Sequence, residues 1–286
     1  MAPTLLLTGA DGFTGQHFAR AASRRGYSVT PLESDLTDAQ SVMRELSGEA
    51  FTYVVHLAAI SAVTHADELA LYRVNLLGTR NLLQAVAAQH RAPLKIIVAS
   101  SANIYGNAAV SPIDEQAEPA PVNHYAMSKL AMEYMLERYQ PSLPLVIARP
   151  FNYTGVGHDD RFVIPKLVDH FRRRKAWVEL GNTSVEREFN DVRTVCEAYL
   201  ELLAHGVSRE VYNICSGITH SLSDVVTTLS DLTGHRLEVR VNPAYVREND
   251  VQRLCGDPRK LRACIGNIAH IPFADTLRWM LDCPAS

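Results

Sequence analysis

The sequence predicts an α/β protein built on a doubly wound parallel sheet, with a smaller C-terminal lobe closing over it. Three observations carry that expectation. Short, nearly uninterrupted apolar runs alternate with helical patterns as far as Pro150, as strands covered on both faces should. Glycines stand at 9, 12 and 15, directly between the first strand-like run and the first helical one. After Pro150 the rhythm breaks into loops, short helices and extended pieces, with one more strand-like run, Glu210–Cys215, returning to the sheet.

Composition agrees. A chain of 286 residues can bury a sizeable core. An apolar content of 47% and a charged content of 21% are those of an ordinary globular protein. The formal charge of −3 speaks against a general nucleic-acid binder, whose surface is normally basic. No apolar run approaches the roughly 18 residues of a membrane span. The start, Met1 to Gly9, lacks the positive region and cleavage site of a signal peptide. Cys196, Cys215, Cys255, Cys264 and Cys283 are odd in number and never spaced as CxxC. They read as reduced thiols rather than disulfides or metal ligands, which implies the cytoplasm and no metal site.

In chain order, Thr4–Thr8 is the first strand and Gly12–Arg25 the first helix. Between them Gly9 permits a tight turn, Gly12 lets backbone approach a pyrophosphate, and Gly15 lets helix and strand pack closely. The helix N-terminus then faces the anion, so a dinucleotide is the expected ligand. Ser28–Leu32 is the second strand, and Glu33 stands at its end. Glu33 is either a carboxylate for the adenosine ribose, favouring NAD(H) over NADP(H) by repelling a 2′-phosphate, or an exposed loop acid. Asp35 and Leu36 are candidates for an adenine contact, and Asp38 for a helix cap. Tyr53–Leu57 is the third strand, Leu69–Gln89 a long helix and Leu94–Ala99 the fourth strand.

The fourth strand runs into Ser100-Ser101-Ala102-Asn103-Ile104-Tyr105-Gly106. Strand carboxyl ends line the ligand crevice of a doubly wound sheet, so Ser101 is placed to hydrogen-bond a reacting oxygen. In the helix His124–Arg138, Tyr125 and Lys129 lie four residues apart on one face. A free phenol ionises near pH ~10. A nearby ammonium and a positive nicotinamide ring lower that value, so Tyr125 can pass a proton to or from a carbonyl or alcohol oxygen. Leu145–Arg149 is the fifth strand. Phe151–Asp160, rich in Gly, Asn, Thr and Asp, is expected as a loop, with a basic helix around Pro165–Lys175. Residues 1–150 with about 185–217 form the expected dinucleotide domain, and 151–184 with 218–286 the lobe.

Gly9, Gly12 and Gly15, His56-Leu57-Ala58-Ala59, Asn75-Leu76-Leu77-Gly78-Thr79, Ser100–Gly106 and Tyr125–Lys129 together resemble the extended short-chain dehydrogenases. That family holds nucleotide-sugar epimerases, dehydratases and reductases. The likeness continues through Arg149-Pro150-Phe151-Asn152, Arg187-Glu188-Phe189-Asn190-Asp191-Val192 and Val211–Gly217, and so runs from residue 4 to about 260. It implies a Rossmann domain with Ser101, Tyr125 and Lys129 as catalytic residues. It also implies NAD(H) or NADP(H) held by the glycine turn with Phe13, by Leu57, Ala58 and Ala59, and by Tyr125 and Lys129. Asn75 would be a structural or cofactor-side residue. A nucleotide-diphosphate sugar would be held by Asn152, Phe162, Val163, Arg187, Arg247 and Asp250, arginine suiting phosphate through its planar fork. A homodimer paired through the helices Leu69–Gln89 and His124–Arg138 is implied too. One departure stands out: the family usually has proline before the catalytic tyrosine, and here it is His124.

The family's dehydratases carry Asp-Glu directly after the catalytic hydroxyl, where this chain has Ala102-Asn103. Elimination of water is therefore not expected. The runs Ala148–Asn152, Gly157–Ile164 and Arg187–Val192 look most like reductases of GDP-4-keto-6-deoxymannose. The expected reaction is reduction of a sugar C4 carbonyl with Tyr125 as proton donor. A 4-epimerase with tightly bound NAD is the alternative. A non-catalytic dinucleotide sensor would be expected to have lost the tyrosine–lysine pair.

Overall fold

A computed structural model describes residues 2–61, 66–245 and 251–283. The first half runs β1 (Thr4–Thr8), α1 (Phe13–Arg24), β2 (Ser28–Pro31), α2 (Ala39–Glu45) and β3 (Tyr53–His56). A long helix follows in three parts: α3 (Glu68–Tyr72), a π-helical stretch Arg73–Gly78, and α4 (Thr79–Ala87). Then come β4 (Lys95–Ala99), α5 (His124–Leu136) and β5 (Leu145–Pro150). The second half comprises β6 (Tyr153–Thr154), α6 (Val163–Arg172), β7 (Trp177–Leu180), β8 (Glu186–Arg187), β9 (Asn190–Asp191) and α7 (Val192–His205). It closes with β10 (Val211–Ile214), β11 (His220–Ser221), α8 (Leu222–Thr233), β12 (Glu238–Val241), β13 (Arg253–Leu254), α9 (Arg259–Ile265) and α10 (Phe273–Asp282).

The central sheet has six parallel strands in the order β10-β5-β4-β3-β1-β2. Side chains alternate along a strand, so β1 sends Leu5 and Leu7 to one face and Leu6 to the other. Leu5 and Leu7 join Phe18 of α1 and Val195 and Tyr199 of α7. Leu6 joins Leu82 and Val86 of α4 and Met132 of α5. Burial on both faces is why the strands read as apolar runs. Truncating such a leucine costs about 2–5 kcal/mol. The turn between β1 and α1 lies where the chain departs to β2 on one side of β1 and to β3 on the other, the topological switch at which ligands bind. No helix among the described residues is long and apolar enough to cross a membrane.

Three expectations need correcting. The helix Leu69–Gln89 is interrupted by the π-helical stretch Arg73–Gly78. The expected loop Phe151–Asp160 contains β6, which pairs in parallel with β9. The basic helix begins at Val163 and ends at Arg172, short of Lys175. Outside the central sheet β7 also pairs in parallel with β12, a pairing the sequence does not announce. It packs against α6 and α8 through Val178, Leu180, Phe171 and Leu229. These short pairings are set by partners far along the chain and have no local signal.

Candidate active site

The glycine turn is sterically exacting. Gly9 has φ +69°, and a Cβ there would lie 2.8 Å from the Ala58 backbone. A Cβ on Gly15 would lie 1.9 Å from the Gly9 carbonyl oxygen. Gly12 is the N-cap of α1 and provides no side-chain cap, leaving the first-turn amides for an anion. This cradle fits the pyrophosphate of a dinucleotide.

Behind the turn runs a buried hydrogen-bond chain whose proton directions are determined by its ends. The Ala58 amide donates to Thr8 Oγ1 (3.1 Å), and Thr8 pairs with His56 Nδ1 (2.7 Å). On the other side Thr79 Oγ1 donates to the Asn75 carbonyl (2.7 Å) and pairs with His56 Nε2 (2.8 Å). The Thr79 oxygen must therefore accept, which places the imidazole proton on Nε2. Burial, followed by the charge of Lys129, pushes the His56 pKa down to about 3, so the ring is neutral. Asn75, inside the π-helical stretch, accepts from the Ile60 amide (2.9 Å) and donates to the Ile60 carbonyl (3.1 Å) and to Ser128 Oγ (3.0 Å). Ser128 donates in turn to the Tyr125 carbonyl (2.8 Å). The π-helical stretch thus carries the side chain that ties the loop after β3 to α5.

Asn123 caps α5 by accepting from the Ala126 amide (2.9 Å), which puts Tyr125 and Lys129 on the first turns of that helix. Ser101 ends the β4 segment. Its oxygen accepts both the backbone and the side-chain N–H of Asn103, each at 3.1 Å. Both acceptor positions are then used, and the Ser101 O–H is left to donate. Burial pushes the Tyr125 phenol above its ordinary range, and the Ser101 hydroxyl acts against this. Lys129 donates to the Ala99 carbonyl at 2.8 Å. Burial lowers its pKa to about 8 against an opposing pull from the Glu133 carboxylate. Ser101, Tyr125 and Lys129 are thus brought together at the carboxyl end of β4.

The other candidates are placed as follows. Phe13 stacks on His158 (centroids 4.4 Å), which stacks on Phe162 (4.3 Å), and Thr14 bonds the Tyr153 hydroxyl (2.8 Å). This aromatic file ties α1 to the start of α6, where Val163 packs on the lobe core. Glu33 is exposed two residues beyond β2. Asp35 holds the Thr37 amide and hydroxyl (both 2.8 Å), while Leu36 turns into the core and its carbonyl accepts from Asn81 (2.8 Å). Asp38 caps α2. Leu57, Ala58 and Ala59 follow β3 beside the turn, only partly buried. The Asn152 side chain is exposed and its carbonyl accepts from the Asn190 amide (2.9 Å). Arg187 bonds the Glu186 carbonyl (2.9 Å). Arg247 and Asp250 lie outside the described residues. His124 turns toward α3, pairing with the Tyr72 hydroxyl (2.9 Å) and the Glu68 carboxylate (3.1 Å). All five cysteines are unpaired.

Sequence reasoning assigned no role to Thr8, His56, Thr79, Ser128 or Asn103. His56, Thr79 and Ser128 stand inside runs that carry the family resemblance, and these three with Thr8 are polar residues among apolar neighbours, a signal of paired burial.

A model of the NAD dependent epimerase/dehydratase family matches residues 5–215. The chain is 33% identical over 268 residues to a GDP-6-deoxy-D-talose 4-dehydrogenase of Aggregatibacter actinomycetemcomitans, covering 92% of this chain and 91% of that protein. It is 34% identical over 297 residues to a GDP-6-deoxy-D-mannose reductase of Pseudomonas aeruginosa, covering 99% and 97%. The solved structure of RMD from Pseudomonas aeruginosa complexed with NADPH matches with a TM-score of 0.90 and 33% identity, covering 98% of this chain and 97% of that one.

Proposed function

This chain belongs to the NAD dependent epimerase/dehydratase family, and from that premise we propose that it reduces the C4 carbonyl of a GDP-linked 4-keto-6-deoxy sugar. The observation that carries this reading is the convergence of the Ser101 hydroxyl, the Tyr125 phenol and the Lys129 ammonium at the end of β4, without an acidic pair beside them. Ala102 is buried and Asn103 is spent on Ser101. Two relatives of nearly the same length, both named for redox chemistry on GDP-6-deoxy sugars, support the substrate class.

Gly9, Gly12, Gly15 and Ala58 would hold the dinucleotide, with Lys129 on its ribose. When bound, NAD(P)H supplies a hydride. The chain's own residues do the rest. Asn103 aims the Ser101 O–H at the reacting oxygen, Ser101 polarises that oxygen, and Tyr125, kept protonated by burial, delivers the proton. Arg187 and Asn152 face the nucleotide in this reading, with the lobe 151–184 and 218–286 as the sugar side. The test is to offer GDP-4-keto-6-deoxymannose with NADH or NADPH. Stoichiometric loss of reduced cofactor is the expected result. Tightly held NAD with no net consumption would instead establish an epimerase.

Lys129 titrates at about 8, so it is charged at neutral pH and loses its charge as pH rises through that value. Dinucleotide affinity is expected to be level below about pH 7.5 and to weaken severalfold by about pH 9.5, with a flat, weaker profile for Lys129→Met. Fluorescence titrations across that range check this, and a flat wild-type profile contradicts it.

A homodimer is the proposed assembly. Leu69 (66% exposed) on α3, Leu77 on the π-helical stretch, and Met127 and Tyr134 (60%) on α5 are exposed apolar residues on elements that pack together. Light scattering should give twice the chain mass, and Met127→Glu/Tyr134→Glu should halve it. A monomeric wild type rules the pairing out.

A further inference from the structure

The exit of β2 holds an anion nest that is already filled from within the chain. Glu45, the last residue of α2, reaches back 12 positions. Its Oε1 accepts from the Glu33 amide (2.8 Å) and its Oε2 from the Ser34 amide (2.7 Å). Burial raises the Glu45 carboxyl, but the Ser34 side chain and the two amides outweigh it and hold Glu45 below the usual carboxylate range. Two successive backbone N–H groups converging on one carboxylate are the donor set that phosphate oxygens also take.

The position of this nest gives it meaning. In a doubly wound sheet the adenosine end of a dinucleotide reaches the loop after the second strand. There a carboxylate suits the free 2′-hydroxyl of NAD, and a cation suits the 2′-phosphate of NADP. Here the loop carries Glu33, exposed, and Asp35, with Asp38 at the head of α2. Arg44 is bonded to Ser41 (3.0 Å) next to the Asp38 cap, and Arg80 bonds Asn81 (3.3 Å), which holds the Leu36 carbonyl.

We propose that Glu45 selects NAD(H) over NADP(H), by occupying the donors that a 2′-phosphate would need and by adding its charge to that of Glu33. The proposal rests on the reading that the β1–α1 turn holds a dinucleotide, and it assigns the discrimination to a side chain outside the glycine motif and outside the loop itself. Glu33 repels; Glu45 also removes the receptor. The two acids therefore act on different halves of the same interaction.

The test is direct binding of NADH and NADPH without sugar, followed by nicotinamide fluorescence, in the wild type, Glu45→Gln and Glu45→Ala. The wild type is expected to bind NADH about tenfold or more tighter than NADPH, the cost of bringing a phosphate against carboxylates. Glu45→Gln keeps the side-chain length and removes the charge. Glu45→Ala opens the nest as well. Each should shift the NADPH-to-NADH affinity ratio toward NADPH by about tenfold or more, with Ala shifting it at least as far as Gln. Circular dichroism and the melting temperature establish that each variant is folded, and Glu45→Gln suffices if Glu45→Ala is not. A wild type that binds NADPH as tightly as NADH, or more tightly, overturns the proposal alone. So does a ratio that stays within about threefold of wild type in the folded variants. Binding of neither dinucleotide overturns this and the reading beneath it together.

Discussion

Tyr125→Phe is expected to lower kcat by about 10²–10⁴ while leaving dinucleotide affinity within about threefold of wild type. The ring is 7% exposed, and phenylalanine fills the same space, so packing of α5 survives the change. Only the O–H is lost. Burial keeps the phenol protonated in the free protein, which suits a group that gives a proton during reduction. Single-turnover measurements on the folded variant, with its melting temperature compared to wild type, are the check. Turnover within tenfold of wild type would remove Tyr125 from the chemistry.

Glu133→Ala is expected to destabilise the fold by about 3–5 kcal/mol, because it strands a charge in the interior. Arg149 on β5 meets the Glu133 carboxylate on α5 through Nε (3.1 Å) and Nη2 (2.6 Å), with both side chains under a tenth exposed. Its Nη1 donates to the Tyr105 hydroxyl (2.8 Å), which donates to Asn213 on β10 (2.8 Å). One guanidinium therefore joins the helix bearing Tyr125 and Lys129 to two strands and to the segment after β4. Replacing both partners, Glu133→Met with Arg149→Met, should recover part of the loss, since no charge is then left buried alone. Urea unfolding with an unchanged slope measures the difference. A loss below about 1 kcal/mol would show that water reaches the pair. Glu133→Gln offers a second readout: without the carboxylate's pull, Lys129 should titrate below its present value of about 8.

The parts of this protein that its sequence determined are those whose physics is local. Leu5-Leu6-Leu7, a short apolar run closed by the Gly9 turn, reads as a strand buried on both faces, and it is one. Glycines at 9, 12 and 15 specify a turn whose positions 9 and 15 leave no room for a Cβ, and a four-residue spacing puts Tyr125 and Lys129 on one helix face by geometry alone. Tertiary structure decided what each polar residue is paired with. His56 finds Thr8 and Thr79 at separations of 48 and 23 positions, Asn75 finds Ser128 at 53, and Arg149 finds Tyr105 at 44. In the sequence Glu45 and Glu133 are two helical acids of the same kind, yet one fills a nest of amides and the other neutralises a buried arginine. Periodicity tells which way a side chain faces within its own element. Which donor waits there depends on how distant segments pack, and only the folded chain specifies that.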